Sequence, residues 1–289
     1  MGRNARTGLL MTLPALLLLG VTVLYPIAWS ISLSLQSFDI VAGGAPPEFV
    51  GLDNYARVST SPAFLTAMRH TVGYVATTLA VEFVLGFGIA LLLRAGWRGS
   101  KVFRVIVALP LLVAPIVAAM SFRFLFASGY GFINEGIAAL GLTPPAWFAD
   151  VWLARTTILV ANLWTALPFV VLVLLAGLVS IPKQTLEAAR VDGASRAQVF
   201  RLVELPLLRP AILIILIIRL ADAFRVFDAV YVLTGGGPGG ATEVMSSYLY
   251  KAMFLRTDFA GAAAASVLFV LVMAATSLLL FRLLRPKEA

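Results

Sequence analysis

Residues 156–179 read TTILVANLWTALPFVVLVLLAGLV, a run without one charged side chain. As a helix rising about 1.5 Å per residue it reaches ~36 Å, enough to cross a hydrocarbon core about 30 Å thick. Five more stretches are long and apolar in the same way, at roughly 9–35, 66–93, 105–127, 210–233 and 262–284. The first is too long for a secretory signal and ends on no small-x-small cleavage site, so it is expected to remain as a helix. The six stretches predict an all-α membrane protein with six transmembrane helices, built as a single transmembrane domain over residues 1–289.

Composition agrees. The chain is 61% hydrophobic and 12% charged, against about 25% charged in average proteins. The net charge of +8 is not a nucleic-acid stripe, because the basic residues lie in short pieces between apolar blocks. With no cysteine and a single histidine, His70, neither a disulfide framework nor a Cys/His metal set can be built.

Those short pieces set the expected orientation. With the N-terminus in the cytoplasm, the inner connections hold Arg3, Arg6, Arg94, Arg98, Lys101, Arg104, Lys183, Arg190, Arg196, Arg201, Arg209, Arg282, Arg285 and Lys287, which is 14 of the 22 basic residues. The outer connections hold only Arg57, Arg155, Lys251 and Arg256. By the positive-inside rule both termini are cytoplasmic. Among the outer segments, 36–65 carries Asp39, Glu48, Asp53 and a Gly43–Pro47 turn cluster. Residues 128–155 supply Trp147, Phe148 and Trp152 for an interface belt, and 234–261 forms an extracytoplasmic loop with a short helix.

Directly after the opening run comes IPKQTLEAARVDGASRAQVFRLVELPLLRP, residues 181–210. Pro182 suits a first helical turn, LEAAR extends it, and Asp192-Gly193 signals a turn. Ser195 can cap a second helix with Val199, Leu202 and Val203 on one face, which Pro206 and Pro210 then close. On pattern alone this is two short helices at the membrane surface, open to reading as a basic amphipathic connector on anionic lipid.

The stretch closely resembles the EAA motif of importer-type ABC transporter permeases: Glu187, Ala188, Ala189, then Gly193, then Val203, Leu205 and Pro206. Val203 stands where the family often has Ile. The resemblance implies a type I ABC importer transmembrane domain in which 181–209 is the cytoplasmic coupling loop, seated in a groove of an ATPase subunit. Glu187, Ala188, Ala189, Asp192, Gly193, Leu205 and Pro206 are then the coupling residues. Small Ala188 and Ala189 permit close approach, Gly193 permits the turn, and Glu187 offers a carboxylate to a basic partner. Tyr25-Pro26, the stretch Phe49-Val-Gly-Leu-Asp-Asn-Tyr55 and the block Phe227–Tyr250 look like the carbohydrate-importer branch, within it the maltose/trehalose type; glycerol-3-phosphate permeases share the branch. Implied partners are a homologous second permease, two ATPase subunits, an extracytoplasmic sugar-binding protein and the lipid bilayer of a bacterial or archaeal plasma membrane. No cofactor is expected in this chain, since no G-x-x-x-x-G-K-[ST] is present and ATP with magnesium would sit in the ATPases.

Ionisable residues inside spans face a cavity or a partner. Glu82 lies twelve residues from Arg94, ~18 Å deep, and Arg219 nine residues from Pro210, ~13 Å deep. Asp222, Arg225 and Asp228 follow at spacing three, which winds them around a continuous helix so that all four cannot face one pore. Arg219–Asp222 or Asp222–Arg225 pairs are available. Arg69, His70 and Arg123 sit nearer the outer ends and reach headgroups or water. One reading is a salt-bridge network; the other is a sugar path. The family's contact positions, carried onto ANLWTALPFV (161–170) and RLADAFRVF (219–227), give Asn162, Thr165, Ala166 and Phe169, then Arg219, Asp222, Ala223 and Val226. Arg219 and Asp222 stand where the maltose system has neutral residues, so the sugar and its charge stay open. A proton-driven secondary transporter using Glu82, Asp222 and Asp228 is the alternative outside the family; a membrane enzyme has no nucleophile–base pair to support it.

The run LTGGGPGGAT, residues 233–242, matches the G-x-G-x-x-G spacing. A dinucleotide fingerprint needs a preceding strand in a βαβ unit, which a spanning helix does not supply. Pro238 among the glycines instead predicts a tight, mobile turn at the outer mouth, either beneath a docked binding protein or simply leading into a helix from Thr242 to about Met253.

Overall fold

A computed structural model describes residues 3–38 and 48–284, with side chains for 11–38 and 48–282. Asp39, the Gly43–Pro47 cluster, Arg285 and Lys287 lie outside the described residues, as do the side chains of Arg3 and Arg6. The chain is overwhelmingly helical. Its elements are α1 (Arg3–Leu19), α2 (Tyr25–Ser34), β1 (Gln36–Ser37), β2 (Glu48–Phe49), α3 (Asp53–Ser59), α4 (Pro62–Arg94), α5 (Ser100–Ala108), α6 (Pro115–Leu125), α7 (Phe132–Ala139), α8 (Val151–Ser180), α9 (Lys183–Val191), α10 (Arg196–Gln198), α11 (Leu205–Leu207), α12 (Arg209–Phe224), α13 (Asp228–Leu233), α14 (Met245–Tyr250) and α15 (Phe259–Leu284). One-turn π segments interrupt it at Gly20–Leu24, Val199–Glu204 and Lys251–Leu255.

Among the described residues, four helical stretches are long and apolar enough to cross a membrane: Met11–Ser34, Pro62–Arg94, Val151–Ser180 and Phe259–Arg282. The two other expected spans are not continuous. In 105–127 the helix tightens at Leu109–Leu112, and Val113 and Ala114 are extended (ψ 128° and 137°) before Pro115 restarts it. The two halves are bent by 102°. Pro115 disfavours a helical Ala114, which is why the break falls there. In 210–233, α12 ends at Phe224 after 16 residues, ~24 Å and short of a full crossing. Its last turn narrows to i→i+3 bonds from Arg225 N to Asp222 O and Val226 N to Ala223 O, and α13 starts afresh at Asp228.

The chain forms two compact units. The first comprises residues 1–65 and 248–272. Between residues 11 and 33 its N-terminal helix is almost wholly exposed, as a lipid-facing span requires. Asn54 and Tyr55 of the FVGLDNY stretch anchor the end of α2. The buried Asn54 amide donates to Ser34 O (3.0 Å) and Gln36 O (2.9 Å), and the Tyr55 hydroxyl meets Ser34 Oγ at 2.6 Å. Arg57 forms a two-pronged pair with Asp258, at 2.9 and 3.1 Å.

The second unit comprises 66–247 and 273–289. Its main core joins Leu93, Val170, Val171, Leu174, Leu178, Leu208 and Ile215, all buried. Small residues bring the helices together. A Cβ on Gly86 would lie 2.6 Å from Val170 Cγ1, and one on Gly177 would lie 2.7 Å from Leu208 Cδ2. Close approach of this kind is how packing substitutes for a hydrophobic driving force in lipid. A second cluster of Ile158, Ala161, Val226, Val230, Leu233 and Val244 packs under Tyr74, Phe122 and Phe148.

Candidate functional site: a charged cavity and a surface loop

The second unit contains a cavity of about 510 Å³. Its wall comes from the broken segment (Pro110, Val113, Pro115), from α8 (Asn162, Thr165, Ala166) and from the α12–α13 junction (Arg219, Asp222, Arg225, Val226, Asp228). Arg219, Asp222, Arg225 and Asp228 therefore do share one cavity, contrary to the winding expected of a continuous helix. The interruption between Phe224 and Asp228 resets the direction of the chain and returns the later charges to the same space.

The charges are closed upon themselves. Arg219 donates to Glu82 through Nε (3.0 Å) and Nη2 (2.7 Å), and through Nη1 to Asp222 Oδ2 at 3.2 Å. The second Asp222 oxygen accepts from Arg225 Nη2 at 2.8 Å. Glu82 is fully buried and Arg219 nearly so, whereas Arg225 is exposed. Burial removes water from Glu82 and Arg219, and a bidentate guanidinium–carboxylate geometry replaces it. Asn162 Nδ2 is buried without a hydrogen-bond partner among the described residues. Thr165 Oγ1 turns back to Asn162 O at 2.9 Å.

Six of the eight positions carried over for the sugar path line this cavity; Phe169 and Ala223 do not. Phe169 is turned into the main core and Ala223 is buried at the α12 contact. Sequence reasoning missed the prolines of the broken segment, whose signal was their place inside an apolar run.

The surface loop begins with α9, held down by Leu186 while Glu187, Ala188, Val191, Asp192 and Gly193 are exposed. Ala189 is half-buried against the core. Gly193 takes φ +81°, with Gly193 N bonded to Arg190 O and Ala194 N to Ala189 O, both at 3.0 Å. This is a Schellman stop, for which the left-handed residue must be glycine or nearly so. Ser195 then caps the next helix in a reciprocal box with Gln198.

Two expectations fail here. Pro206 and Pro210 do not close that helix; a π turn at Val199–Glu204 precedes Pro206, and the chain runs through α11 into α12 with both prolines near segment starts. The widened turn also shifts the face, so Val199 is buried while Leu202 is 67% exposed. Glu204 is buried instead and pairs with Arg94 at 2.8 Å. Leu205 and Pro206 are half-buried beside it.

The glycine run is tight but held. Thr234 Oγ1 and Thr242 Oγ1 meet at 2.8 Å, and Thr242 Oγ1 donates to Gly237 O at 2.6 Å. Arg123 donates to the Val232 and Leu233 carbonyls on one side, and Arg155 to Ala241 O at 3.0 Å on the other. The mobile turn expected from glycine content is pinned by these side chains, and the helix after it starts at Met245.

The family model described as "binding-protein-dependent transport system inner membrane component" matches residues 82–289. The chain is 38% identical over 274 residues to the trehalose/maltose transport system permease protein MalF of Thermococcus litoralis, covering 95% of this chain and 92% of that one. It is 33% identical to the sulfoquinovosyl glycerol transport system permease protein SmoG of Agrobacterium fabrum over 96% of this chain and 90% of the other. To the trehalose transport system permease protein SugA of Mycobacterium tuberculosis it is 32% identical over 80% and 74%. In fold it is similar to a chain of a bacterial ABC transporter that imports the acidic polysaccharide alginate, with a TM-score of 0.83, 24% identity, and 97% and 96% of the two chains covered.

Proposed function

The chain belongs to the family of binding-protein-dependent transport system inner membrane components, and we propose that it serves as the permease subunit of an ATP-driven importer of a neutral sugar, a disaccharide such as trehalose or maltose. It is a multi-pass membrane component and not an enzyme. The observation that carries the sugar reading is the closed charge network of the cavity. Glu82 and Asp222 pair with Arg219, and Asp222 also with Arg225, so both arginines are already engaged by carboxylates; Asp228 lines the same cavity. An anionic cargo such as glycerol 3-phosphate would have to compete with those carboxylates for both cations. A neutral, hydroxyl-rich solute needs donors and acceptors instead, which the buried Asn162 amide and the Asp222 carboxylate offer. The cavity size suits a small ligand. The trehalose and maltose relatives support the same cargo class.

In this reading the cavity opens alternately to the two sides of a bacterial or archaeal plasma membrane. A second permease completes it, an extracytoplasmic binding protein delivers the sugar, and of two ATPase subunits that hold ATP and magnesium one grips Glu187–Gly193 together with the Leu205-Pro206 end. Both chain termini lie on the ATPase side. The proton-driven alternative is weakened because Glu82 and Asp222 are both committed to Arg219. The test is reconstitution with the ATPases, second permease and binding protein in liposomes. ATP-dependent uptake of labelled trehalose or maltose is expected; uptake driven by a proton gradient through the lone chain would overturn the reading.

A further inference from the structure

A second cleft of the same unit, about 570 Å³, belongs neither to the charged cavity nor to the surface loop. It lies between α4 and α8 at their N-terminal ends, away from the Arg94 end of α4. On α4 its lining recurs at Arg69–His70, Gly73–Tyr74 and Thr77, and on α8 at Trp152, Arg155–Thr156 and Leu159. These are single helical stripes, so the cleft runs along both helices for about two turns, ~12 Å.

Its two ends differ in chemistry. The mouth holds Arg69, His70 and Arg155, and no carboxylate lines the cleft. Arg69 is exposed and makes no ion pair among the described residues. Arg155 is held in place by Ala241 O, by His70 Nε2 at 3.4 Å and by the Trp152 ring, 5.3 Å from its guanidinium carbon. None of these three contacts supplies a negative charge. One turn further in, Tyr74 lines the wall, its hydroxyl buried beside Thr78. Beyond it the walls are Gly73, Thr77, Ile158 and Leu159. Gly73 is helical, and a Cβ added there would meet no atom within 4 Å, so the space beside it is open.

A cationic mouth above an apolar channel matches the order phosphate, acyl chain. We propose that this cleft binds one anionic phospholipid, with its phosphate at Arg69 and Arg155 and an acyl chain along Gly73 and Leu159. Trp152 marks the same level, since tryptophan concentrates at the membrane interface. Basic side chains there favour anionic over zwitterionic lipid.

The experiment is native mass spectrometry of the purified full chain taken from nanodiscs of equal phosphatidylglycerol and phosphatidylcholine. Wild type is expected to retain one phosphatidylglycerol at least about fivefold over phosphatidylcholine. Arg69→Ala should reduce that preference by about fivefold. Gly73→Leu, which the open space accommodates, should abolish retention of either lipid while the protein stays monodisperse with an unchanged helical spectrum. Inorganic phosphate in excess should not displace the lipid, because the acyl chain also holds it. Equal retention of both lipids by wild type, as for a face covered by another polypeptide, overturns the proposal. Displacement by phosphate alone, or full retention by Gly73→Leu, overturns it as well.

Discussion

Arg94 and Glu204 are joined at 2.8 Å, tying the last turn of α4 to the π turn that ends the surface loop. Glu204 is buried and Arg94 largely so, so removing the carboxylate strands a cation. Glu204→Ala should cost about 1–3 kcal/mol and hasten amide hydrogen exchange across residues 195–203. The reversed pair, Arg94→Glu with Glu204→Arg, should restore part of the protection. Exchange that is unchanged in the single variant would separate the pair from the order of the loop.

Glu82 and Arg219 form the most deeply buried ion pair among the described residues, and breaking it from either side leaves an uncompensated charge. Glu82→Ala is expected to destabilise by about 3–5 kcal/mol, whereas replacing both partners with apolar residues, Glu82→Leu with Arg219→Met, should be far milder. Thermal unfolding in detergent would compare them. A double variant as unstable as the single one would mean that the site depends on the charges for its shape.

Asp222 joins that pair to Arg225 and faces the cavity. Asp222→Ala is expected to abolish sugar uptake while leaving assembly with the partner subunits intact, since its side chain is 42% exposed and carries little of the packing. Uptake at the normal rate in reconstituted vesicles would remove Asp222 from the sugar path.

Asp258 gives a pH dependence outside the spans. Burial alone would raise its carboxyl, but the hydrogen bond from Arg57, the Gly261 N–H and the charges of Arg57 and Arg256 outweigh it and hold the group below the ordinary carboxylate range. Between that lowered value and the unfolded value of about 4, the unfolded chain binds the extra proton, so stability rises with pH there. The contribution is complete above about pH 4 and is lost as pH falls through the lowered value. Asp258→Asn should flatten this part of the stability curve. Gly261→Ala should act similarly, because a Cβ there would stand 2.3 Å from Asp258 Oδ2.

Gly86 tests the helix contact that carries Glu82. Gly86→Val must push Val170 aside and is expected to cost about 1–3 kcal/mol. Val170→Ala should recover much of it, because the clash is with the Val170 side chain. Failure of that second change to help would point to backbone strain instead.

How much of this is legible in the sequence differs by feature. Apolar length marks Met11–Ser34, α4, α8 and α15 directly, because crossing lipid demands an unbroken hydrogen-bonded run. The same measure is blind to where a run changes direction, so 105–127 and 210–233 read as plain spans. Pro115 gives a local signal for the first break. The second has neither proline nor glycine between Phe224 and Asp228 and depends on tertiary packing. That hidden break is what brings Asp228 to the same cavity as Arg219. Asp192-Gly193 and Ser195 were readable because a left-handed stop and a capping box are local chemistry. The Arg94–Glu204 pair, 110 residues apart, has no local trace.

Among the described residues, both buried ion pairs draw one partner from the same helix. Glu82 and Arg94 stand twelve residues apart on α4, ~18 Å along an uninterrupted ladder of backbone hydrogen bonds. A helix of that length is stiff to compression, so the two residues share one mechanical coordinate. Glu204 and Arg219 also lie on one run of chain, from the π turn through α11 into α12, so the two pairs rivet the same two segments together at two depths.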